Sequence, residues 1–335
     1  LSHSNYLSTK GVRSILALRA DRKPEEINST VVLFKNRRDL ETKMRVSGLN
    51  TRNTIIVSHG VWSWPSRLGF YFKEKGFAWV AVPHGMLEPW SRNQKKLKKL
   101  IYYQLLEQKY LNSARALRAV SKTEYVNLKG LFGENVFYLP NGVDTSESAD
   151  AKIISSKITF IFMSRLHHKK GLKELLRGWI SSNLGGNSDF ELIIAGPDDG
   201  ELEHIRPFIE STSNIVYVGP IYGKEKAKIL QRSHIFVLPS YSEGLPSSVL
   251  EAMDYGLLAL ISQGCNFTEV IDNGIAKQFE PSEAFIVQVL NSLEKQKLSE
   301  IVYKGELGKK YVRKYFHNDK LSETLYAKYM SLLDR

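Results

Sequence analysis

The chain has almost no cysteine. Cys265 stands alone among 335 residues, which excludes an intramolecular disulfide and fits a reducing compartment. Long hydrophobic runs are missing as well, since nothing approaches the roughly eighteen apolar residues that span a bilayer, and no secretory signal is recognisable. There is no P-loop and no G-x-S-x-G elbow. Metal-ligand patterns are absent too. His167 and His168 are adjacent and lack ligand spacing. Asp198 and Asp199 sit in a Pro-Asp-Asp-Gly turn without a partnering motif, so no metal is expected. Repeats and low-complexity tracts are missing. The last shortage is of acidic residues in the first half. Residues 1–150 hold 24 Lys+Arg against 13 Asp+Glu, and the remainder 23 against 22, so nearly all of the +12 net charge lies in that half.

A basic half beside a neutral half suggests an anionic surface: membrane phospholipid, a lipid-diphosphate acceptor or nucleic acid. Its densest part, Arg92 to Lys99, carries Lys95, Lys96, Lys98 and Lys99. A solvated helix face would also account for such a run.

The length favours two domains, each able to bury its own core. Apolar content of 42% and charged content of 24% are those of an ordinary globular protein. In the second half, strand patterns at 158–163, 190–195, 215–218, 235–238 and 257–262 alternate with helical ones at 172–180, 227–233 and 249–255. This rhythm predicts βαβ units and a parallel sheet, with ligands at the carboxyl ends of its strands. The first half is less regular. Helices are predicted over 14–20 and 93–111, and strands over 30–34, 54–57, 77–82, 116–120 and 136–139. Ser121 reads as a helix cap. Two of these strands end in His-Gly, at His59-Gly60 and His84-Gly85. The Ser-rich stretch from Asp144 to Lys157 predicts a linker, and 321–333 has helical periodicity.

The most informative stretch is Ser242-Glu243-Gly244-Leu245-Pro246-Ser247-Ser248-Val249-Leu250-Glu251-Ala252-Met253. It follows the strand Ile235 to Leu238, so Glu243 falls in a strand-to-helix loop and Glu251 about a turn inside the helix. The N–H groups of Ser247 and Ser248 come at the helix N-terminus, where anions bind. Free amides between two carboxylates suit a sugar nucleotide: amides for phosphate, carboxylates for sugar hydroxyls.

This segment resembles the E-x7-E signature of retaining, nucleotide-sugar-dependent glycosyltransferases of family 4. The resemblance implies an α/β GT-B fold, two Rossmann-like domains with parallel sheets facing a central cleft. It places an acceptor domain over 1–150, joined by a C-terminal helix at about 316–335 that crosses back, and a donor domain over 151–315. Other segments are similar to the same family. In Ser164-Arg165-Leu166-His167-His168-Lys169-Lys170-Gly171, Arg165 and Lys170 would contact the donor diphosphate. Pro83-His84-Gly85-Met86-Leu87 resembles the His-Gly loop of a bacterial surface-polysaccharide (O-antigen, capsule) branch, where His84 would face the donor sugar and phosphate. His59 is read as acceptor-side. Leu139-Pro140-Asn141-Gly142-Val143-Asp144 matches the interdomain segment. Gly219 and Ile221 lie where the nucleotide base would rest. At Gly264 to Glu269 the family's glycine-rich form is replaced. Ser8-Thr9-Lys10-Gly11 resembles a reduced form of the first glycine-rich loop, which puts Gly11 on the acceptor side before the first helix.

The resemblance therefore implies a retaining, metal-independent glycosyltransferase that needs no cofactor. Its donor would be a UDP- or GDP-linked sugar, and its acceptor a lipid-linked saccharide on the anionic cytoplasmic face of the plasma membrane. Glu243, Gly244, Leu245, Ser247, Ser248 and Glu251 would line the donor site, with Glu251 on the ribose and Glu243 on the sugar. A GT-B epimerase or phosphorylase lacks supporting motifs. A nucleic-acid-binding protein is suggested by the pI near 9.5, but the chain has no interleaved aromatics and no recognition-helix pattern.

Overall fold

The computed structural model describes residues 4–18, 30–94, 96–145 and 157–333. The chain divides into two compact units. One runs up to Gly142 and includes the segment from Asn318 onward; the other is Val143–His317.

The second unit is a six-stranded sheet: β7 (Ile158–Met163), β8 (Phe190–Ala195), β9 (Ile215–Gly219), β10 (Ile235–Leu238), β11 (Leu258–Ser262) and β12 (Lys277–Phe279). All pairings are parallel, in the order β12-β11-β10-β7-β8-β9. Phe160, Ile161, Phe162, Leu192, Ile193, Ile194, Phe236 and Leu238 are fully buried, as expected where helices cover both faces of a parallel sheet. The helix Leu172–Ser181 docks through Leu172, Leu175, Leu176 and Trp179, an apolar stripe of helical period. Strand order reverses between β7 and β10, and such a switch point opens a crevice at the carboxyl ends of the strands.

The first unit holds β3 (Ile55–His59), β4 (Ala78–Val82), β5 (Ala116–Ala119) and β6 (Val136–Tyr138) in a parallel sheet of sequential order. Trp79, Leu111, Leu117 and Leu128 centre its main core. The C-terminal helix Asn318–Leu333 brings Leu332 and Tyr329 against Val80 and Ala116 of this sheet.

Two sequence expectations are corrected in this unit. The segment predicted as a helix over 14–20 is instead a strand, β1 (Ile15–Leu18), paired in parallel with β2 (Thr30–Leu33). Leu and Ala favour helix, but a neighbouring strand outweighs local propensity. Gly11 consequently follows a short helix, Ser4–Thr9, and precedes β1. It thus sits at the amino end of that strand and not, as expected, before the first helix. The single basic helix predicted over 93–111 is interrupted. A turn of helix at Pro89–Asn93 is followed by extended Gln94, then Lys96–Tyr102, a π-helical turn at Tyr103–Glu107, and Gln108–Ser113. Lys95 lies outside the described residues, as does 146–156 of the predicted linker.

Candidate functional site

In the second unit the predicted residues gather at the carboxyl edge of the sheet. β7 leads into Ser164-Arg165, and a 3-10 turn, His168–Lys170, ends at Gly171 with φ +67. A Cβ at Gly171 would run into the carbonyl of Pro239, so glycine is what lets the loops after β7 and β10 touch. The loops are stitched together: the Lys169 carbonyl accepts from the Tyr241 N–H at 2.9 Å. This contact brings Lys170 Nζ to 2.6 Å from Glu243 Oε1, with both side chains about one-tenth exposed.

Glu243 is held on every side. Ser240 Oγ donates to its Oε1 at 2.5 Å. Its N–H donates to the Gly264 carbonyl at 2.6 Å, and its own carbonyl accepts from Asn266 Nδ2 at 2.7 Å. Gly264 has no room for a Cβ, which would strike the backbone of Ser240 and Tyr241. The replaced glycine-rich loop thus serves as a clamp on Glu243. Behind it, burial pushes the Cys265 thiol up to about 12, leaving an inert group.

Past Glu243, buried Gly244 and Leu245 lead to the helix Ser247–Asp254, whose N-cap, Pro246, has no side-chain hydrogen bond. The first N–H groups of a helix lack intrahelical acceptors, so those of Ser247 and Ser248 are presented to an anion. One turn on, Glu251 Oε2 lies 2.8 Å from Lys226 Nζ, and both are about one-third exposed. Arg165 is exposed, with Nη1 2.7 Å from Asp199 Oδ2. Asp198 accepts from the N–H groups of Gly200, Glu201 and Leu202, bonds that hold its pKa below the ordinary carboxylate value. The Asp-Asp pair is a turn and an Arg partner. Gly219 ends β9 with φ +75, and the Ile221 side chain is buried, so Ile221 can offer a ligand its backbone alone.

A second cluster belongs to the first unit, at the ends of β3 and β4. His59 Nδ1 and His84 Nε2 are 2.8 Å apart. Their ring planes are inclined by 20° and their centroids lie 5.1 Å apart. That centroid separation is what two imidazoles have when they meet edge to edge across one N–H···N bond, so each ring fixes the other's tautomer. His84 adopts φ +55, an uncommon conformation for a side chain with a Cβ. The next residue is anchored: Gly85 N–H donates to Glu124 Oε1 at 2.6 Å, and Val120 N–H to Glu124 Oε2 at 2.8 Å. Ser121 Oγ accepts from the Glu124 N–H, as the sequence predicts for a cap. Burial pushes Glu124 up to about 7. Arg118 is buried on β5, donating through Nε to the Leu139 carbonyl (2.8 Å) and through Nη2 to that of Pro140 (2.9 Å). Burial, then neighbouring positive charge, hold His84 down at about 3 and His59 at about 4. Both rings are neutral at pH 7.

Sequence reasoning brought forward Lys170, Glu243, Glu251 and the histidines, but missed Lys226, Ser240, Asn266, Arg118 and Glu124. For Glu124 a signal existed: Ser121-x-x-Glu124 has the spacing of a capping box. The others are long-range partners without a local signature.

Residues 3–147 match the family model described as Glycosyltransferase Family 4, and residues 144–306 match that of Glycosyl transferases group 1. The chain is built from two glycosyltransferase domains. It is 27% identical over 246 residues to a phosphatidylinositol N-acetylglucosaminyltransferase subunit of Arabidopsis thaliana, covering 71% of this chain and 54% of that one. It is 32% identical over 122 residues to N,N'-diacetylbacillosaminyl-diphospho-undecaprenol alpha-1,3-N-acetylgalactosaminyltransferase of Campylobacter jejuni, covering 36% and 30%. The matches thus span about half or less of these relatives' length. Sucrose-phosphate synthase from Thermosynechococcus elongatus superposes with a TM-score of 0.82 at 14% identity, over 99% of this chain and 92% of that one. The fold is GT-B, in agreement with the sequence reading.

Proposed function

We propose that the chain transfers a sugar, with retention, from a nucleotide-sugar donor to a lipid-linked saccharide acceptor. The observation that carries this reading is the Lys170–Glu243 pair beside the uncapped Ser247–Asp254 helix, at the switch point of the second sheet. A cation, free amides and a fixed carboxylate are what a nucleoside-diphosphate sugar requires.

Lys170, Arg165 and the Ser247 and Ser248 amides neutralise the diphosphate as it departs. Glu251 accepts from the ribose hydroxyls and is oriented by Lys226. Glu243 accepts from the sugar hydroxyls. The bond from the anomeric carbon to the phosphate oxygen breaks, the acceptor oxygen bonds on the same face, and the acceptor proton passes to the leaving phosphate oxygen. His84, neutral and fixed by His59, serves as a hydrogen-bonding group for sugar or phosphate. The names of both curated relatives include a phosphate-bearing lipid. With the basic first half, this supports a lipid-linked acceptor at the cytoplasmic face of the plasma membrane, in surface-polysaccharide assembly.

Calorimetry with UDP and GDP tests the donor site. Glu251→Ala is expected to weaken binding of the accepted diphosphate by about 1.5–3 kcal/mol, the range for a hydrogen bond to a charged group. Glu243→Ala should instead cut transfer far more than it weakens the free diphosphate. Equal loss of affinity in both variants would overturn the assignment. Transfer should also survive EDTA, because protein cations face the diphosphate; activity lost in EDTA and restored by Mn²⁺ would reject that part of the reading.

A further inference from the structure

Among the described residues, three other than glycine adopt a left-handed backbone: Trp62 (φ +69), His84 (φ +55) and Asn266 (φ +54). Asparagine tolerates this conformation, whereas a bulky side chain such as tryptophan rarely takes it. Trp62 and His84 both belong to the first unit, in the loops that follow β3 and β4. Each is fixed by a buried glutamate through a backbone N–H, its own or its neighbour's. For His84 the glutamate is Glu124, which takes the Gly85 N–H. For Trp62 it is Glu107, whose Oε1 accepts the Trp62 N–H at 3.3 Å. Strained backbone persists only where its surroundings over-determine it. Glu124 is accounted for by the His84 loop, but the transfer steps give Glu107 no part.

Glu107 reaches Trp62 from a different element. It closes the π turn Tyr103–Glu107, a rare helical form that often marks a functional position, and its side chain is fully buried. Burial raises its pKa, outweighing the opposite pull of the Ser66 and Tyr102 hydroxyls, the Trp62 N–H and the Arg67 charge. A carboxyl held where its charge is disfavoured is a poor device for stability alone. The loop has no local substitute for it: Ser63, the N-cap of the helix Trp64–Glu74, makes no side-chain cap bond. Trp62 then carries the contact onward. Its Nε1–H donates to the Met86 carbonyl at 3.0 Å, and the neighbouring Val61 N–H donates to Met86 Sδ at 3.3 Å. Gly60 packs against the same sulfur, which a Cβ there would meet at 3.4 Å. The two His-Gly loops are thus zipped together through Met86 as well as through the imidazoles.

We infer that Glu107 is a positioning residue for the imidazole pair. It locks Trp62 in its left-handed conformation, and the Trp62 indole then fixes the Met86 carbonyl and with it the loop that presents His84. Glu107 and Glu124 are in this sense counterparts, one buried carboxyl for each His-Gly loop. What Glu107 needs to offer is an acceptor oxygen at the Trp62 N–H, which a Gln side chain also has and a Met side chain lacks. The inference rests on the reading of His84 as the group that meets donor sugar or phosphate.

The test joins transfer assays of the full chain to NMR of its ¹⁵N-labelled histidines. In the parent, the proton of the His59–His84 N–H···N bond should be visible because its exchange with water is slow. Glu107→Met should broaden that signal away and lower transfer about tenfold, short of the roughly 10²-fold cost of a fully misplaced group. Glu107→Gln should restore the signal and bring transfer within about threefold of the parent, since the Trp62 N–H regains an acceptor. Trp62→Phe removes only the bond to the Met86 carbonyl, so it should resemble Glu107→Met and carries the test if that variant folds poorly. Combining the two should lower transfer no further than either alone, because both break one chain of contacts. An imidazole signal that survives in Glu107→Met and Trp62→Phe, a Gln variant as impaired as the Met variant, or additive losses in the double variant overturns the proposal. A glutamate that only stabilised the fold would shift thermal unfolding and leave the imidazole signal of the folded protein in place. The imidazole signal reads the positioning, and transfer by His84→Asn reads the role of His84, so the two fail separately; nucleoside-diphosphate affinity on the same samples reports the second unit.

Discussion

Lys170→Ala is expected to destabilise the second unit by about 3–5 kcal/mol, because it strands Glu243 as an uncompensated charge in a largely buried place. The contact is 2.6 Å with both side chains about one-tenth exposed, so water replaces the ammonium only in part. Glu243→Gln alone should cost a similar amount by stranding Lys170. Lys170→Met combined with Glu243→Gln should recover much of the loss. Two residues in one network couple, and the coupling is the signature to measure. Urea-dependent hydrogen exchange of β7 and β10 reports this unit separately from the first. Additive losses across the cycle would mean that the pair is not an interacting unit. Transfer should respond differently from stability. The double variant regains folding yet stays inactive, since removing one donor from developing charge costs about 10²–10³ in rate. A stable and active double variant would contradict the role given to Lys170.

That pair also marks how far the sequence can be read. The first five strands of the second unit were legible, because apolar runs bounded by Gly, Pro and Ser fix them and Pro246-Ser247-Ser248 fixes a helix start; the helix Leu202–Glu210, the short edge strand β12 and the helices Glu283–Glu294 and Leu298–Tyr315 were not read. Glu243 and Lys170 could be named as site residues, but their contact could not. It depends on Gly171 and Gly264 allowing backbones to approach across two strands, a long-range fact without a local pattern. The first unit was less legible. The segment Ser14 to Ala20 is rich in good helix formers, and only its parallel partner, Thr30–Leu33, makes part of it a strand. The same holds for the basic helix. Its lysines were visible as a run, whereas the π turn at Tyr103–Glu107, where Tyr103 and Glu107 are buried, has no local pattern. Two neighbouring His-Gly strand ends suggested a site; that they share one hydrogen bond is a matter of register between β3 and β4, where His59 faces Val82.

His84→Asn is expected to lower transfer by about 10²-fold or more, the scale of a positioned polar group at a reacting centre, and to weaken nucleoside-diphosphate binding far less. Asn is the fair replacement, since it tolerates the left-handed backbone at φ +55 better than other residues with a Cβ. His59→Ala should give a smaller loss, because it frees the tautomer of His84 without removing the ring. The pH profile separates this reading from ordinary acid–base use of a histidine. His84 at about 3 and His59 at about 4 are both below the usual histidine value, so neither gains a proton between pH 5 and 8. Their unfolded forms take up protons first as pH falls, so these two groups make stability decline on going from pH 7 toward pH 4. Glu124, held at about 7, works in the opposite direction: the folded state keeps its proton longer than the unfolded, and its contribution is lost as pH rises from the ordinary carboxylate range through 7. Because Glu124 accepts from the Gly85 N–H, protonating it weakens the anchor of the His84 loop, and transfer should fall as pH drops through about 7. Glu124→Gln should remove that limb and leave a level profile from pH 5 to 8 at a lower rate. A limb near the ordinary histidine value that persists in Glu124→Gln would show that the imidazoles themselves titrate during turnover, and the neutral, tautomer-locked pair would have to be abandoned.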